Sequence, residues 1–414
     1  MEDRLARYTL RQRALLGVAL WALAACVIAW TVWRGFEGAN RRLDARPLIL
    51  GGHAWLLGES PYLPETYSRL WEQAFRVPRP DAFVFAYPPS AALLLVPLAF
   101  PGVQVGLLLL DLLNLVSLAL SLLLCARLGA DPADAHWRGP RPAVAVALAA
   151  ACGSLSGTLL VGQTSLWALV AILWVWRAAG GSALWAVNAF AVSVAAMKPS
   201  LTLPLLCFVA VLRPRLVGVA AALSVMVCIA VAMATDGGAI VREWLSAIAG
   251  YAATSANAPL ELASAQNLLA RLAPQLPAWP LAILGGLAGA FVGWDARRAT
   301  DAASLDEHWV AAVALAAACS PAHGYDLVLA APLAALLPRI RPAAWPWYGL
   351  GVLAVGRPEL FARVASALSG GDVASLERLT SAIGTVLLAA GASAHVALRR
   401  QLLRPFRETA RPLG

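Results

Sequence analysis

The sequence predicts an all-α, polytopic integral membrane protein, and three observations carry that reading. Apolar residues make up 60% of the chain and charged residues only 13%, with a mean hydropathy of +0.70, whereas a soluble domain is about 25% charged. Apolar runs near membrane-spanning length recur from the first helix to the carboxyl terminus. The net charge of +9 is almost wholly arginine, Lys198 being the only lysine, and basic residues gathered between apolar runs report cytoplasmic loops. That distribution argues against nucleic acid as a partner. Cys26, Cys125, Cys152, Cys207, Cys228 and Cys319 all sit in apolar runs without paired or metal-ligand spacing, as small core residues do.

Arg4, Arg7, Arg11 and Arg13 precede the first apolar run, 14–33, whose length of about 20 residues at about 1.5 Å each covers about 30 Å of hydrocarbon. A retained anchor with a cytoplasmic amino terminus is expected. A cleaved signal peptide is the rival reading, and Leu23-Ala24-Ala25-Cys26 resembles a lipoprotein cleavage site. The apolar run continues past that point, however, and the core of a signal is typically about 7 to 15 residues.

Residues 34–88 form the first extracytoplasmic loop, carrying Arg, Glu and Asp together with Trp55, Tyr62, Tyr67 and Trp71. Within it, 48–57 and 66–75 have helical spacing with aromatic and leucine faces, as interfacial helices do. Tyr87-Pro88-Pro89 opens a short apolar segment, 90–100, that Pro101-Gly102 stops. A clear span follows over 103–125. Further runs cover 142–161, 164–176, 183–197, 200–212, 216–234, 279–294, 309–319, 325–338, 343–356 and 380–398. Placing Arg399, Arg400, Arg404, Arg407 and Arg411 inside, together with Arg339/Arg341, Arg297/Arg298, Arg213/Arg215 and Arg127/Arg138/Arg141, predicts about twelve crossings with both termini cytoplasmic, provided that 90–100 is a half-span. The segment 356–371 reads as a connector, the arginine-rich tail as an anionic-lipid contact, and the whole of 1–414 as one domain.

This topology sends Asp44, Tyr62, Tyr87, Gln163, Lys198, Asn267, Arg271, His323 and Asp326 to the outer ends of helices or to outer loops. Lys198, in Ala196-Met197-Lys198-Pro199-Ser200, lies between two apolar runs, where a lysine either snorkels to the interface or faces a polar cavity with an anion. His323, in Ser320-Pro321-Ala322-His323-Gly324-Tyr325-Asp326, is open to a structural or a ligand-binding reading, and Asp326 orients it, holds ligand hydroxyls or caps the helix that follows. Gln163, in Val161-Gly162-Gln163-Thr164-Ser165, is a site residue or part of a capped turn. Arg271 either clamps phosphate through its planar fork or lies on an amphipathic surface helix. Tyr62 and Tyr87 stack on a ligand, shape the loop beside their prolines, or belong to an aromatic belt.

In order along the chain stand an Asp soon after the first helix, a Gly-x-x-Pro-Tyr turn at 58–62, Tyr-Pro-Pro followed by Ala-Ala-Leu-Leu-Leu-Val-Pro-Leu, then Gly-Gln, Lys-Pro, and Ser-Pro with a nearby His. This pattern resembles the family 87 glycosyltransferases, membrane enzymes of the GT-C type that use polyprenyl-phosphate sugars and include mannosyltransferases of bacterial envelope glycolipids. The resemblance covers nearly the whole chain and is most specific over 58–98. At Ser264-Ala265-Gln266-Asn267 the chain departs from the family's fuller Asn-x-Ser motif.

The resemblance implies a GT-C-like bundle and an inverting transfer of a hexose or pentose, such as mannose, on the extracytoplasmic face of a bacterial inner membrane. The donor is a polyprenyl-phosphate sugar and the acceptor an envelope lipid or glycan. It also implies that Asp44 is the base and that Lys198 and His323 meet the donor phosphate. Chemistry gives Asp44 a reason: lipid phosphate already leaves well, so a single base taking the acceptor proton contributes about 10² to 10⁴, whereas glycoside hydrolysis needs two flanking carboxylates. The plain alternative pairs Asp44 with Arg41, Arg42 or Arg46 on a solvated face.

No Asp-x-Asp, phosphate-cradling glycine loop with lysine, or histidine-rich metal spacing occurs, so nothing calls for a cofactor or metal. Two other classes compete. A transporter or flippase of lipid-linked sugars predicts paired broken helices in two related halves, which are not visible. A non-catalytic scaffold predicts indifference to Asp44→Asn.

Overall fold

The computed structural model describes residues 10–37, 42–80, 84–130, 140–178, 184–235, 239–277, 279–299, 302–340 and 342–409. Of the arginines that set the expected topology, Arg4, Arg7, Arg138, Arg341 and Arg411 lie outside these residues, as does Arg41. All secondary structure among the described residues is helical.

α1 (Leu10–Phe36) is the expected first span. The loop helices follow as α2 (Ala45–Leu56) and α3 (Pro64–Phe75). Helix α3 is amphipathic, burying Tyr67, Leu70 and Trp71; it starts with Pro64 in its first turn and stops at Arg76 in the left-handed conformation. Helix α2 differs from an interfacial helix. It buries Leu48, Ile49, Leu50, Gly51, Gly52, Ala54 and Trp55, so it is packed inside the protein. The reason is its Gly51-Gly52 pair: a Cβ on Gly51 would lie 2.3 Å from the ring of Phe85, and one on Gly52 2.4 Å from the carbonyl of Leu95. Phe85 in turn centres an aromatic cluster, its ring centroid 5.2 Å from Trp55, 5.6 Å from Tyr62 and 6.0 Å from Tyr87.

α4 (Ala92–Ala99) has 8 residues, too few to cross hydrocarbon about 30 Å thick, in keeping with a half-span. α5 (Val103–Gly129) is a full span. α6 (Pro140–Ala150) and α7 (Gly153–Val161) divide one apolar run at a 52° bend. There follow α8 (Ser165–Arg177), α9 (Trp185–Ala196), α10 (Pro199–Leu212), α11 (Pro214–Ala234), α12 (Ala239–Ala252), α13 (Ala265–Leu272), α14 (Trp279–Ala296), α15 (Ala302–Cys319), α16 (Ala330–Leu336), α17 (Trp345–Gly356), α18 (Pro358–Ser369) and α19 (Val373–Thr409).

Five described helices are long and apolar enough to cross a membrane alone, six counting the bent pair, against the about twelve crossings that the apolar runs predict. Helices α8, α9 and α10 have 13, 12 and 14 residues, or about 18 to 21 Å. The chain breaks between successive apolar runs, at Gly162-Gln163, Met197-Lys198 and Ser320-Pro321, and so brings helix ends together within the bundle.

Small residues permit that packing, as expected where lipid supplies no hydrophobic force between helices. Gly285, Gly289 and Gly293 form a stripe along α14. A Cβ on Gly289 would lie 2.1 Å from the Pro204 carbonyl oxygen of α10, and one on Gly293 2.5 Å from that of Phe208. Helices α17 and α19 meet the same way: a Cβ on Gly351 would lie 2.7 Å from the Leu388 nitrogen, and one on Gly391 2.7 Å from the Tyr348 nitrogen. Replacing Gly289 by leucine is expected to force α10 and α14 apart and destabilise the protein by about 1 to 3 kcal/mol or more. Gly218→Ala on α11, where nothing lies within 4 Å of the new Cβ, is expected to be neutral or mildly stabilising. Thermal unfolding in detergent micelles distinguishes the two.

Candidate functional site

The site forms where the carboxyl ends of α7, α9 and α15 meet the amino ends of α2, α8 and α10. Helix α7 terminates at Gly162, whose left-handed φ of 75° is open to glycine at no steric cost. A Cβ there would also sit 2.5 Å from that of Ala45, so the same glycine admits the turn before α2. Two backbone bonds dock that turn: the Arg42 N–H donates to the Leu160 carbonyl at 2.8 Å and the Asp44 N–H to that of Val161 at 2.9 Å. Asp44 is thus held against the end of α7, next to Gln163.

Gln163 bridges the network. Its Nε2 donates to Asp44 Oδ2 at 2.8 Å, and its Oε1 accepts from the Tyr87 hydroxyl at 2.8 Å and from Lys198 Nζ at 3.0 Å. Lys198 Nζ also donates to Ser165 Oγ at 2.7 Å and ion-pairs with Asp326 Oδ1, to which Ser165 Oγ donates at 2.7 Å. All three ammonium protons therefore have protein acceptors. Lys198 and Asp326 are both buried. Tyr87 further shares a 2.9 Å hydrogen bond with Thr164 Oγ1, and the Tyr62 hydroxyl donates to the Tyr87 carbonyl at 2.6 Å.

His323 stands beside this network. The Asp326 carboxylate accepts from its backbone N–H at 3.4 Å, its Nε2 lies 3.1 Å from Asn257 Oδ1, and its ring stacks on Tyr325 at 5.3 Å. Tyr325 also lies under Lys198, whose Nζ is 5.8 Å from the ring centroid.

The structure thus joins Asp44, Gln163, Tyr87, Lys198 and Asp326 in one hydrogen-bonded network, with Tyr62 and His323 one contact outside it. Arg271 is not brought in: it donates from Nε to Asn267 Oδ1 at 2.8 Å and from Nη2 to Ser375 Oγ at 2.9 Å, tying α13 to α19. Of the arginines considered as partners for Asp44, Arg41 lies outside the described residues and the other two are engaged elsewhere. Arg42 pairs with Asp111 and the Arg46 guanidinium lies 5.4 Å from the centroid of the Phe75 ring. Among the described residues, Asp44 Oδ1 accepts no hydrogen bond, and no group of three or more His, Cys, Asp or Glu could hold a metal ion.

The two carboxylates have opposite environments. Burial pushes the Asp44 carboxyl above its ordinary value, against the Gln163 hydrogen bond and the charge of Lys198. Burial is the largest influence on Asp326 too and works upward, but the Lys198 and His323 charges and the hydrogen bonds from Lys198 and Ser165 together hold this group below its ordinary value. Such divergence separates a proton acceptor from a permanent counter-charge. The amino ends of α8 and α10 add the positive ends of two helix dipoles, an environment suited to an anionic group.

Sequence reasoning missed Asp111, Ser165 as an ammonium ligand, and Asn257. Asp111 had a signal, since a lone carboxylate within the leucine-rich run of α5 is costly and partnered by default. Ser165 and Asn257 had none, because their roles arise from residues more than 30 positions away.

Compared with known proteins, the chain matches the family model described as glycosyltransferase family 87 over residues 85–321, more than half of its length. Tyr87, Gln163, Lys198 and Arg271 fall inside that range, while Asp44, Tyr62, His323 and Asp326 flank it. No curated protein and no solved structure matches the chain significantly.

Replacing Lys198 by methionine strands Asp326 and is expected to cost about 3 to 5 kcal/mol, whereas Lys198→Met/Asp326→Leu, which removes both charges, is expected to recover much of that loss. Thermal melting of the purified single and double variants checks this.

Proposed function

The chain belongs to glycosyltransferase family 87, and from that premise we propose that it transfers a hexose, such as mannose, from a polyprenyl-phosphate donor to an envelope lipid or glycan, with inversion, on the extracytoplasmic side of a bacterial inner membrane. The observation that carries the mechanism is Asp44, one carboxylate oxygen held by Gln163 and the other without a donor among the described residues.

In this reading the acceptor hydroxyl gives its proton to Asp44 Oδ1 as its oxygen attacks the anomeric carbon. The bond from that carbon to the phosphate oxygen breaks, and its electron pair departs with polyprenyl phosphate. Attack from the face opposite the phosphate inverts the anomeric centre. Gln163 fixes the orientation of the carboxylate, and burial makes Asp44 a stronger proton acceptor than an ordinary aspartate.

The donor phosphate would be met at the amino ends of α8 and α10 beside His323, with Lys198 exchanging one internal acceptor for a phosphate oxygen. Asp326 balances the ammonium while the site is empty of donor. Tyr87, and Tyr62 behind it, border the sugar, while Arg271 serves the fold. The family assignment makes the chain a membrane glycosyltransferase; the apolar spans and the polar network at one end of the helices support a lipid-linked donor over a nucleotide sugar.

Two outcomes test the reading. With polyprenyl-phosphate mannose and an envelope lipid extract, followed by mass spectrometry, Asp44→Asn is expected to lower turnover by about 10² to 10⁴ while donor binding is retained; equal product from variant and wild type removes the proposed base. The base acts only when ionised, so the rate falls as pH drops through the Asp44 pKa. Because burial raises that pKa, the acid limb of the pH–rate profile is expected above the ordinary aspartate value, and a limb at or below it would contradict the role.

A further inference from the structure

Arg42 and Asp111 form a second charged pair that the proposed chemistry leaves unused. Arg42 donates from Nε to Asp111 Oδ2 at 2.9 Å, and its Nη2 contacts the same oxygen. The pair is largely enclosed, with the side chains 22% and 10% exposed. Asp111 lies two turns inside α5, whose neighbours on either side are leucines. A carboxylate there is expensive unless it is paired.

Arg42 bears a cost of its own. Its φ of 63° is the left-handed conformation that side chains with a Cβ avoid, and such strain persists only where the surroundings over-determine it. The backbone N–H of this residue is bonded to α7 and its guanidinium to α5. Asp44 follows two residues later, at the start of α2. The turn is therefore clamped between two helices immediately before the proposed base, and the clamp sets where its carboxylate points.

We propose that the Arg42–Asp111 pair is a positioning device for Asp44, acting on the acceptor-deprotonation step without touching either substrate. This rests on Asp44 being the base. An error of about 1 Å in placing a catalytic group costs up to about 10²-fold in rate, so a buried charge pair adjacent to that group has leverage that a surface pair lacks.

A double-mutant cycle in single turnover tests it, using polyprenyl-phosphate mannose and envelope lipid extract with wild type, Asp44→Asn, Asp111→Asn and Asp44→Asn/Asp111→Asn. Asp111→Asn is expected to lower the transfer rate by about 10²-fold with the donor KM unchanged. Added to Asp44→Asn, it is expected to lower the rate no further, since a misplaced base that is already absent has nothing more to lose. A multiplicative loss in the double variant, a higher donor KM in place of a lower rate, or an unchanged rate would each overturn the proposal.

Arg42→Gly/Asp111→Asn covers loss of fold, since it removes both members of the pair and gives the left-handed position to glycine. It is expected to melt like wild type yet remain slow, and a wild-type rate in this variant would also overturn the role. Equal rates for wild type and Asp44→Asn would instead bring down the base itself, a distinct result.

Discussion

One ammonium group governs the end of the bundle where the helices stop. Lys198 is buried between α9 and α10 and needs an acceptor for each of its three protons; Gln163, Ser165 and Asp326 supply them. These come from the turn between α7 and α8 and from the segment after α15, so satisfying one side chain obliges separate parts of the chain to meet. Its position adds to the constraint. A cation at a helix amino terminus opposes the dipole of that helix, and here it occupies the N-cap of α10, a location that is tolerable because Asp326 lies against it.

That convergence shapes the helices around it. To reach the ammonium, α8, α9 and α10 begin or end inside the bundle and remain shorter than a full span. Elsewhere in the bundle helices approach closely through glycine, as α14 does against α10 at Gly289 and Gly293. The first loop follows the same logic. Gly51 and Gly52 let α2 sink against Phe85 and α4, and the aromatic cluster around Phe85 connects that loop to Tyr87 and so to Gln163.

The consequence is a pair of carboxylates with opposite proton affinities. Asp326 lies directly on the ammonium and stays ionised; Asp44 is one amide removed, through Gln163, and is held nearer to neutrality by burial. Gln163 is the element that makes the contrast possible. It offers its oxygen to Lys198 and its nitrogen to Asp44, so the two groups are coupled without being paired.

Hydropathy and arginine placement determined the class by themselves, because a bilayer rewards long apolar helices whatever their order in space. The motif order along the chain likewise pointed to the family, and Asp44, Gln163, Tyr87, Lys198 and Asp326 were legible as polar residues at helix ends. The number of spans was not legible, since apolar runs such as 183–197 and 200–212 look alike whether they cross or stop at a buried lysine. Nor could sequence separate Arg271, tied to Asn267 and Ser375, from the residues that meet, or reveal that Arg42 pairs with Asp111 rather than Asp44. Composition and periodicity report how each segment meets its solvent, but which charge neutralises which depends on distances between segments far apart in the chain, and only tertiary packing sets those.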